Sequence, residues 1–184
     1  CLLSRGLGDV YKRQVIIDVD FNRFIAFHKE KKAWASLVAH PNGHPYDSSL
    51  LVTEIEAPKM AGGMPVDTHR VICWMAKEDE RLYYKNRVNA GIELISPELL
   101  KETMKNFVPR HPETPDKIDL DRDVLKTNIG SGRIYAYDTP EYVKDMGTPD
   151  RFFEAENDIK TGKVHAHNLK NRQKAIFLDR DGTI

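Results

Sequence analysis

The sequence predicts a mixed α/β fold built on a Rossmann-like sheet, and three observations support that prediction. Short apolar runs of strand length alternate with stretches of helical periodicity. The first alternation places a strand, a helix and a strand within residues 15–39. The chain has 184 residues, of which 40% are hydrophobic, and this is enough for one compact core. We therefore expect a single α/β domain.

The first predicted unit comprises a strand at 15–17, a helix at 21–32 capped by Asp20, and a strand at 34–39. Two strands joined through a helix are typical of a βαβ unit, so we expect parallel pairing. The aromatic residues of this unit are interpreted as core rather than as a base-stacking surface; they are Phe24, Phe27 and Trp34.

A loop rich in Pro and Gly follows at 40–45. The carboxyl ends of strands in open parallel sheets face the ligand crevice, so His40 and His44 are expected near substrates, without a catalytic role. Further strands are predicted at 50–53, 71–75, 88–95 and 133–137, with a surface excursion at 59–66.

Three more helices are predicted. Ser96 and Pro97 begin one that ends near Lys105, and another lies near 121–126. A third starts at 148–149 and ends at Gly162. Its apolar residues, Phe152, Phe153, Ala155 and Ile159, are expected to point inward.

Composition limits the classes of partner. Lys plus Arg and Asp plus Glu number 28 each, so no overall positive charge favours a nucleic acid or a membrane surface. Two cysteines cannot make a disulfide framework, and no apolar run is long enough to span a membrane. We expect a cytoplasmic protein that handles a small charged metabolite.

Four stretches in order resemble the sugar-phosphate nucleotidyltransferase family, particularly the hexose or heptose 1-phosphate guanylyltransferases. They are DVDFNRFIAFH at 18–28, YKNRVNAG at 84–91, DLDRD at 119–123 and YVKDMGTP at 142–149. The resemblance implies a GT-A-like fold and two substrates, an NTP and a sugar 1-phosphate. It also implies Mg²⁺ held between two aspartates, which suits a hard cation with oxygen ligands.

Asp145 matches the second of those metal-binding aspartates, and Lys144 is a candidate for neutralising phosphate charge. The alternatives are a helix cap for Asp145, a position that Thr148 can also fill, and a solvated side chain for Lys144. The family's first metal ligand belongs to a Gly-Asp pair, where this chain has Arg13-Gln14. Asp18 and Asp20 are weak substitutes.

The resemblance assigns sugar binding to Asn89, Ala90 and Gly91, because amides and backbone groups can both donate to and accept from hydroxyls. The alternatives are a turn residue at Asn89 and a β-bulge at Gly91. Lys77 is the best match for a lysine that binds the sugar phosphate, and Lys85 is the second; both are also consistent with ordinary solvated lysines.

The last residues, KAIFLDRDGTI at 174–184, resemble the first motif of haloacid-dehalogenase-type phosphatases, in the form found in heptose and histidinol phosphate phosphatases. That motif makes Asp179 the phosphoryl-accepting nucleophile and a Mg²⁺ ligand, and Asp181 a general acid/base. The chain would then hold one strand of a truncated phosphatase domain.

Four segments follow: a non-native leader at 1–14 that resembles translated sequencing adapter, a nucleotidyltransferase C-terminal part at 15–163, a linker at 164–173 and the phosphatase start at 174–184. A native leader is the alternative at 1–14. We expect a bifunctional parent enzyme that uses GTP, and an inactive chain as it stands, because the nucleotide loop is missing. The rival hypotheses are a sugar-bisphosphate phosphatase and an inert sugar-phosphate-binding fragment. The sugar and the oligomeric state are open.

Overall fold

The computed structural model describes residues 15–172, except positions 59, 61, 82, 83, 106 and 111. The strands are β1 (Val15–Asp18), β2 (Ala35–His40), β3 (Leu50–Glu56), β4 (Val66–Met75), β5 (Val88–Ile95), β6 (Ile134–Asp138) and β7 (Tyr142–Asp145). The helices are α1 (Phe21–Glu30), α2 (Pro97–Lys105), α3 (Pro149–Lys160) and α4 (Lys163–Ala166). A wide π-type helix at Leu120–Leu125 continues into a 3₁₀ helix at Lys126–Ser131, and Pro45–Asp47 forms one 3₁₀ turn.

The chain divides into two compact units. One contains Phe21–Pro140, and we call it the central unit. Of the described residues, the other contains 15–20 and 141–172, and we call it the terminal unit.

Five strands of the central unit hydrogen-bond in the closed order β2, β5, β3, β4, β6. The pair β2–β6 is parallel, with Ala35 opposite Ile134. The pairs β2–β5 and β3–β4 are antiparallel. The predicted mixed sheet is confirmed, but its order is closed and mainly antiparallel, so the open parallel arrangement used to place the loop at 40–45 is wrong.

The core of the central unit lies against β2, whose residues Ala35 to Ala39 are all buried. A strand buried on both faces has a continuous apolar sequence, which is why 34–39 was predictable. Leu99 of α2 and Leu125 of the π-type helix pack into the same cluster. Phe24 is 1% exposed, so its predicted core position is confirmed.

In the terminal unit, β1 pairs antiparallel with β7, with Val15 opposite Asp145 and Asp18 opposite Tyr142. The predicted parallel pairing of the strand at 15–17 with that at 34–39 is therefore wrong. Two strands separated by one helix were assumed to be neighbours, whereas the partner of β1 is a strand more than 120 residues later.

Helix α3 begins as predicted, with Thr148 as N-cap and Pro149 at its first position. Its buried residues are Ala155 and Asp158. Phe152 is 51% exposed, Phe153 62% and Ile159 53%, so the prediction that these three point inward is wrong. The helix turns Asp158 inward because that carboxylate accepts a hydrogen bond from the Tyr142 hydroxyl, at 2.9 Å.

The stretch predicted as a linker overlaps α4. Beyond this helix, the Asn168 side chain donates to Asp18 Oδ1 at 2.6 Å. In the described part of the chain, no helix combines the length and the apolar character needed to cross a bilayer.

Candidate functional site

Asn89, Ala90 and Gly91 form a bulge in β5. Along the β2–β5 pair, Leu37 lies opposite Glu93 and Ala39 lies opposite Asn89, so β5 has two extra residues there. Gly91 has φ +71°, and its N–H donates to Asn89 Oδ1 at 3.2 Å. A left-handed backbone suits glycine, which has no Cβ to clash. The alternatives of a bulge and a turn residue thus describe the backbone here; they do not conflict with sugar binding.

The Asn89 amide keeps capacity for a ligand. Its Oδ1 accepts the intrastrand bond, while its Nδ2 has no hydrogen-bond partner among the described residues. The residue is half-buried. A fixed oxygen and an available N–H₂ group give this side chain one orientation in which it can donate to a hydroxyl or phosphate oxygen.

Two side chains that the sequence did not single out hold the loop at 41–48 beside this bulge. Asn86 donates to Asn42 O at 2.7 Å and accepts from Asn42 N–H at 3.1 Å. Arg81 donates to the carbonyls of Pro45, at 2.9 Å, and Ser48, at 2.7 Å. These side-chain hydrogen bonds satisfy backbone groups of the loop, which has no neighbouring strand to pair with.

Arg87 lies buried in the central unit two residues before Asn89, with its side chain 9% exposed. Its guanidinium donates to Asp138 Oδ1 at 2.7 Å, to Asp67 Oδ2 at 2.7 Å and to the Thr53 hydroxyl. Burial of an arginine is tolerated when carboxylates satisfy its fork of donors. Sequence reasoning missed Arg87, because a charged residue beside a strand is typical of solvated surface.

Asp67 repeats the geometry of Asn89. Its Oδ1 accepts from His69 N–H at 2.8 Å, and His69 has φ +64°, just as Asn89 accepts from Gly91. Burial opposes ionisation of Asp67, but the hydrogen bonds from Arg87, His69 N–H and Thr53 outweigh it and lower its pKa to about 2. The ionised carboxylate thereby anchors both β4 and Arg87.

The two candidate phosphate lysines lie in different places. Lys85 is exposed, with its Nζ 3.6 Å from Asp67 Oδ2, at the edge of the Arg87 cluster. Lys77 is exposed in the turn that follows β4. His40 is half-buried at the end of β2; burial is the main cause that lowers its pKa, so the neutral ring is favoured.

Asp145 is the last residue of β7, and its side chain is 48% exposed. Oδ1 accepts from Gly147 N–H at 2.6 Å, and Oδ2 lies 3.1 Å from Arg151 Nη1. A Cβ added at Gly147 would come within 3.0 Å of Oδ1. Thr148, and not Asp145, caps α3, so the alternative of a helix cap for Asp145 is wrong.

Lys144 points to α3, with Nζ 2.6 Å from Glu154 Oε1 and 4.0 Å from Asp158 Oδ2. Tyr142 donates to the same Asp158, and burial, reinforced by this carboxylate, raises the pKa of the Tyr142 hydroxyl. The strand that carries Asp145 is thus fixed to α3 by a tyrosine and a lysine.

The described residues contain no group of three or more His, Cys, Asp or Glu side chains placed to hold a metal ion. Asp18 lies opposite Tyr142, three residues along the β1–β7 pair from Val15, the partner of Asp145. That separation is about 10 Å along the strand. Asp179 and Asp181 lie outside the described residues.

No protein-family model matches this chain. Over 174 residues it is 23% identical to the mannose-1-phosphate guanylyltransferase of Mycobacterium tuberculosis, covering 93% of this chain and 42% of the relative. Over 175 residues it is 19% identical to the mannose-1-phosphate guanylyltransferase catalytic subunit beta of Dictyostelium discoideum, covering 95% of this chain and 41% of the relative. The chain therefore spans about two fifths of the length of these relatives.

A solved structure has the same fold. It is a Bacillus anthracis protein assigned as a glucose-1-phosphate thymidylyltransferase, in complex with a sucrose, with a TM-score of 0.56 and 12% identity. The match covers 78% of this chain and 50% of the other. The chain is similar in sequence and in fold to sugar-1-phosphate nucleotidyltransferases. Sequence similarity over more than nine tenths of the chain agrees with the order of motifs that predicted this resemblance.

Within a sugar-1-phosphate nucleotidyltransferase fold, the candidate residues fall into two sets. Asn89, Gly91 and Lys85 belong to the central unit, and Lys144 and Asp145 to the terminal unit. The binding roles of all these side chains stay predictions.

Proposed function

We propose that this chain is the sugar-binding part of an enzyme that transfers a nucleotide from an NTP to a hexose or heptose 1-phosphate. An oxygen of the sugar phosphate attacks the α-phosphorus, the bond to the β-phosphate oxygen breaks, and pyrophosphate leaves. The observation that supports this most strongly is the similarity to mannose-1-phosphate guanylyltransferases over 93% of the chain. The names of these relatives favour GTP as the nucleotide.

Asn89 is proposed to orient the sugar. Its side-chain oxygen is held by Gly91 N–H, which leaves Nδ2 to donate to a sugar hydroxyl. Lys85 is proposed to meet the phosphate charge. Its distance of 3.6 Å from Asp67 is that of a loose ion pair, and the lysine is exposed, so it can turn to a ligand at small cost. Lys77, which the resemblance ranked first, becomes the second candidate, because only Lys85 lies near the Asn89 bulge and the Arg87 cluster.

Asp145 is proposed as one ligand of Mg²⁺. Magnesium commonly uses one or two carboxylates and completes its octahedron with water and substrate phosphates. Asp145 is accessible, but its oxygens are engaged by Gly147 and Arg151. The described residues contain no group of three or more His, Cys, Asp or Glu side chains that could hold a metal ion. The described residues therefore do not form a magnesium site by themselves.

We propose that the second carboxylate belongs at position 14, where the family's Gly-Asp pair corresponds to Arg13-Gln14. Val15, which follows that position, lies directly opposite Asp145 in the β1–β7 pair. With glutamine at position 14, we expect weak NTP binding and no turnover.

A second activity is proposed for the parent protein from the motif at 174–184. Asp179, Asp181 and Gly182 follow an apolar run in the order required for a phosphoryl-accepting aspartate, a general acid/base and a turn. A phosphatase that removes one phosphate from a sugar bisphosphate would supply the sugar 1-phosphate. We propose a cytoplasmic location for both activities.

The test on this chain is a titration with mannose 1-phosphate, followed by amide chemical shifts. The shifts should saturate and centre on residues 85–91. Asn89→Ala should weaken binding about tenfold, since one hydrogen bond to a charged or hydroxyl group is lost. Asn157→Ala, an exposed asparagine of α3, is the matched control and should leave affinity unchanged. Equal binding of unphosphorylated mannose would contradict the proposal.

A further inference from the structure

A cavity of about 310 Å³ opens in the central unit at the amino-terminal end of β2. His40 lies at the other end of this strand. Its lining includes Lys29, Lys32, Trp34, Glu98 and Arg133. The six residues of β2 separate this cavity from the Asn89 bulge, which lies opposite Ala39. At about 3.3 Å per residue the two places are well over 10 Å apart. The cavity is therefore distinct from the candidate sugar site.

The charges of the cavity are not compensated within the described structure. Lys29, Lys32 and Glu98 have no ion-pair partner among the described residues. Arg133 uses Nη1 to donate to Lys32 O at 3.0 Å, and its remaining guanidinium donors have no partner there either. Three cations against one carboxylate leave two net positive charges around one concave space.

His28 forms part of the lining and adds no charge. The Ser96 hydroxyl donates to Ala33 O at 3.0 Å, so it accepts from His28 Nε2–H, at 3.0 Å. His28 Nδ1 then accepts from the buried Ser36 hydroxyl, at 2.9 Å. Burial lowers the pKa of His28, in agreement with a neutral ring. His28 thus fixes the base of the cavity through two serines.

Lys32 occupies a backbone position that glycine usually takes. It lies just after the end of α1 and has φ +47°. In this motif Ala33 N–H donates to His28 O at 3.1 Å, and Lys32 N–H donates to Lys29 O at 3.1 Å. A lysine in this left-handed conformation costs about 1 kcal/mol relative to glycine. Strain of this kind tends to persist where a side chain serves a ligand.

We propose that this cavity binds a small phosphorylated sugar or polyol. The phosphate dianion would lie among Lys29, Lys32 and Arg133. The guanidinium group of Arg133 can contact it through two parallel N–H donors. The Glu98 carboxylate would accept from hydroxyls, and the half-buried indole of Trp34 would cover the carbon face. The volume is at the lower end of the roughly 300–1,000 Å³ typical of small-molecule sites.

The test is a titration of the chain with mannose 6-phosphate, followed by tryptophan fluorescence. The chain has two tryptophans, and Trp74 is 6% exposed in the core, so a change in signal reports on Trp34. We expect saturation, no signal in Trp34→Phe, and at least tenfold weaker binding in both Lys29→Gln and Arg133→Gln. Lys29 is exposed, so its variant keeps the fold even if Arg133→Gln does not.

Two comparisons complete the test. Inorganic phosphate should bind more weakly than mannose 6-phosphate, because it lacks the hydroxyl and carbon contacts; equal affinity would overturn the assignment to a sugar phosphate. Asn89→Ala should bind mannose 6-phosphate with the same affinity as the unsubstituted chain. Binding that is lost in Asn89→Ala, or that survives in Lys29→Gln, would overturn the proposed cavity site and leave the proposed function to its own test.

Discussion

Arg87 and Asp138 are joined by two parallel contacts, with Nε 2.7 Å from Oδ1 and Nη2 2.5 Å from Oδ2, although 51 residues separate them in sequence. The same guanidinium reaches Asp67 of β4 and Thr53 of β3. One side chain therefore ties β3, β4 and the end of β6 to the start of β5. The strand that carries Asn89 begins at this point.

Removal of this guanidinium should destabilise the chain strongly. In Arg87→Met, Asp67 and Asp138 lose their charge-assisted bonds and lie close together, so we expect the free energy of unfolding to fall by about 3 kcal/mol. Lys85→Met removes a nearby exposed cation and should change it by less than about 0.5 kcal/mol. Urea denaturation measures the free energy of unfolding of both variants. Equal losses would show that the buried guanidinium of Arg87 does not hold these strands together.

Acid should unfold the chain partly through Asp67. Its pKa in the fold is about 2, below the ordinary value of 3.8. Ionised Asp67 therefore contributes fully to the free energy of unfolding above about pH 4, and this contribution is lost as the pH falls through 2. This contribution is about 2 kcal/mol. Between pH 5 and 2, the free energy of unfolding of Asp67→Asn should fall by about 2 kcal/mol less than that of the unsubstituted chain. Asp116 is exposed, and Asp116→Asn should show the same pH dependence as the unsubstituted chain.

The bulge at Gly91 should not tolerate a side chain. At φ +71°, alanine strains the backbone, and we expect Gly91→Ala to lower the free energy of unfolding by about 1–2 kcal/mol. Gly43→Ala is the matched control, because Gly43 does not have a positive φ and a Cβ there meets nothing within 4 Å. Thermal unfolding compares the two; a neutral Gly91→Ala would mean that the bulge adapts.

The contact that fixes β7 to α3 should also be measurable. Tyr142→Phe leaves the buried Asp158 without its hydroxyl donor, and we expect a loss of about 1–2 kcal/mol in the free energy of unfolding. Tyr46→Phe is the control, since Tyr46 is 69% exposed. Chemical denaturation measures the free energy of unfolding of both variants. Similar stability of the two would show that the Asp158 carboxylate has enough hydrogen-bond donors without Tyr142.

Much of the central unit was predictable because its strands are short apolar runs with clear ends. β7 was missed as a strand, since Tyr142–Asp145 has only four residues of mixed polarity. The pairing of β1 was predicted wrongly because sequence proximity favoured β2 over a partner far along the chain.

The candidate site was predictable to a smaller extent. Asn89 and Gly91 carry a local signal, an Asx residue two positions before glycine, whereas His69 in the equivalent bulge does not. Arg87 was missed because its partners lie in three other strands, and no local pattern connects them. The exposed Phe152 and Phe153 had the periodicity of a core face, but Asp158 takes the buried position through its bond to Tyr142.

The proposed nucleotidyl transfer uses Asp145 as a metal ligand. It is tested by pyrophosphate release from GTP and mannose 1-phosphate, in a chain extended by an upstream nucleotide-binding segment and carrying Gly-Asp at 13–14. We expect Mg²⁺-dependent release that falls at least 100-fold in Asp145→Asn, because one charge of the metal site is lost, and that is unchanged in Asp179→Asn. Full activity in Asp145→Asn would contradict the assignment, and no release from the extended chain would contradict the proposed function.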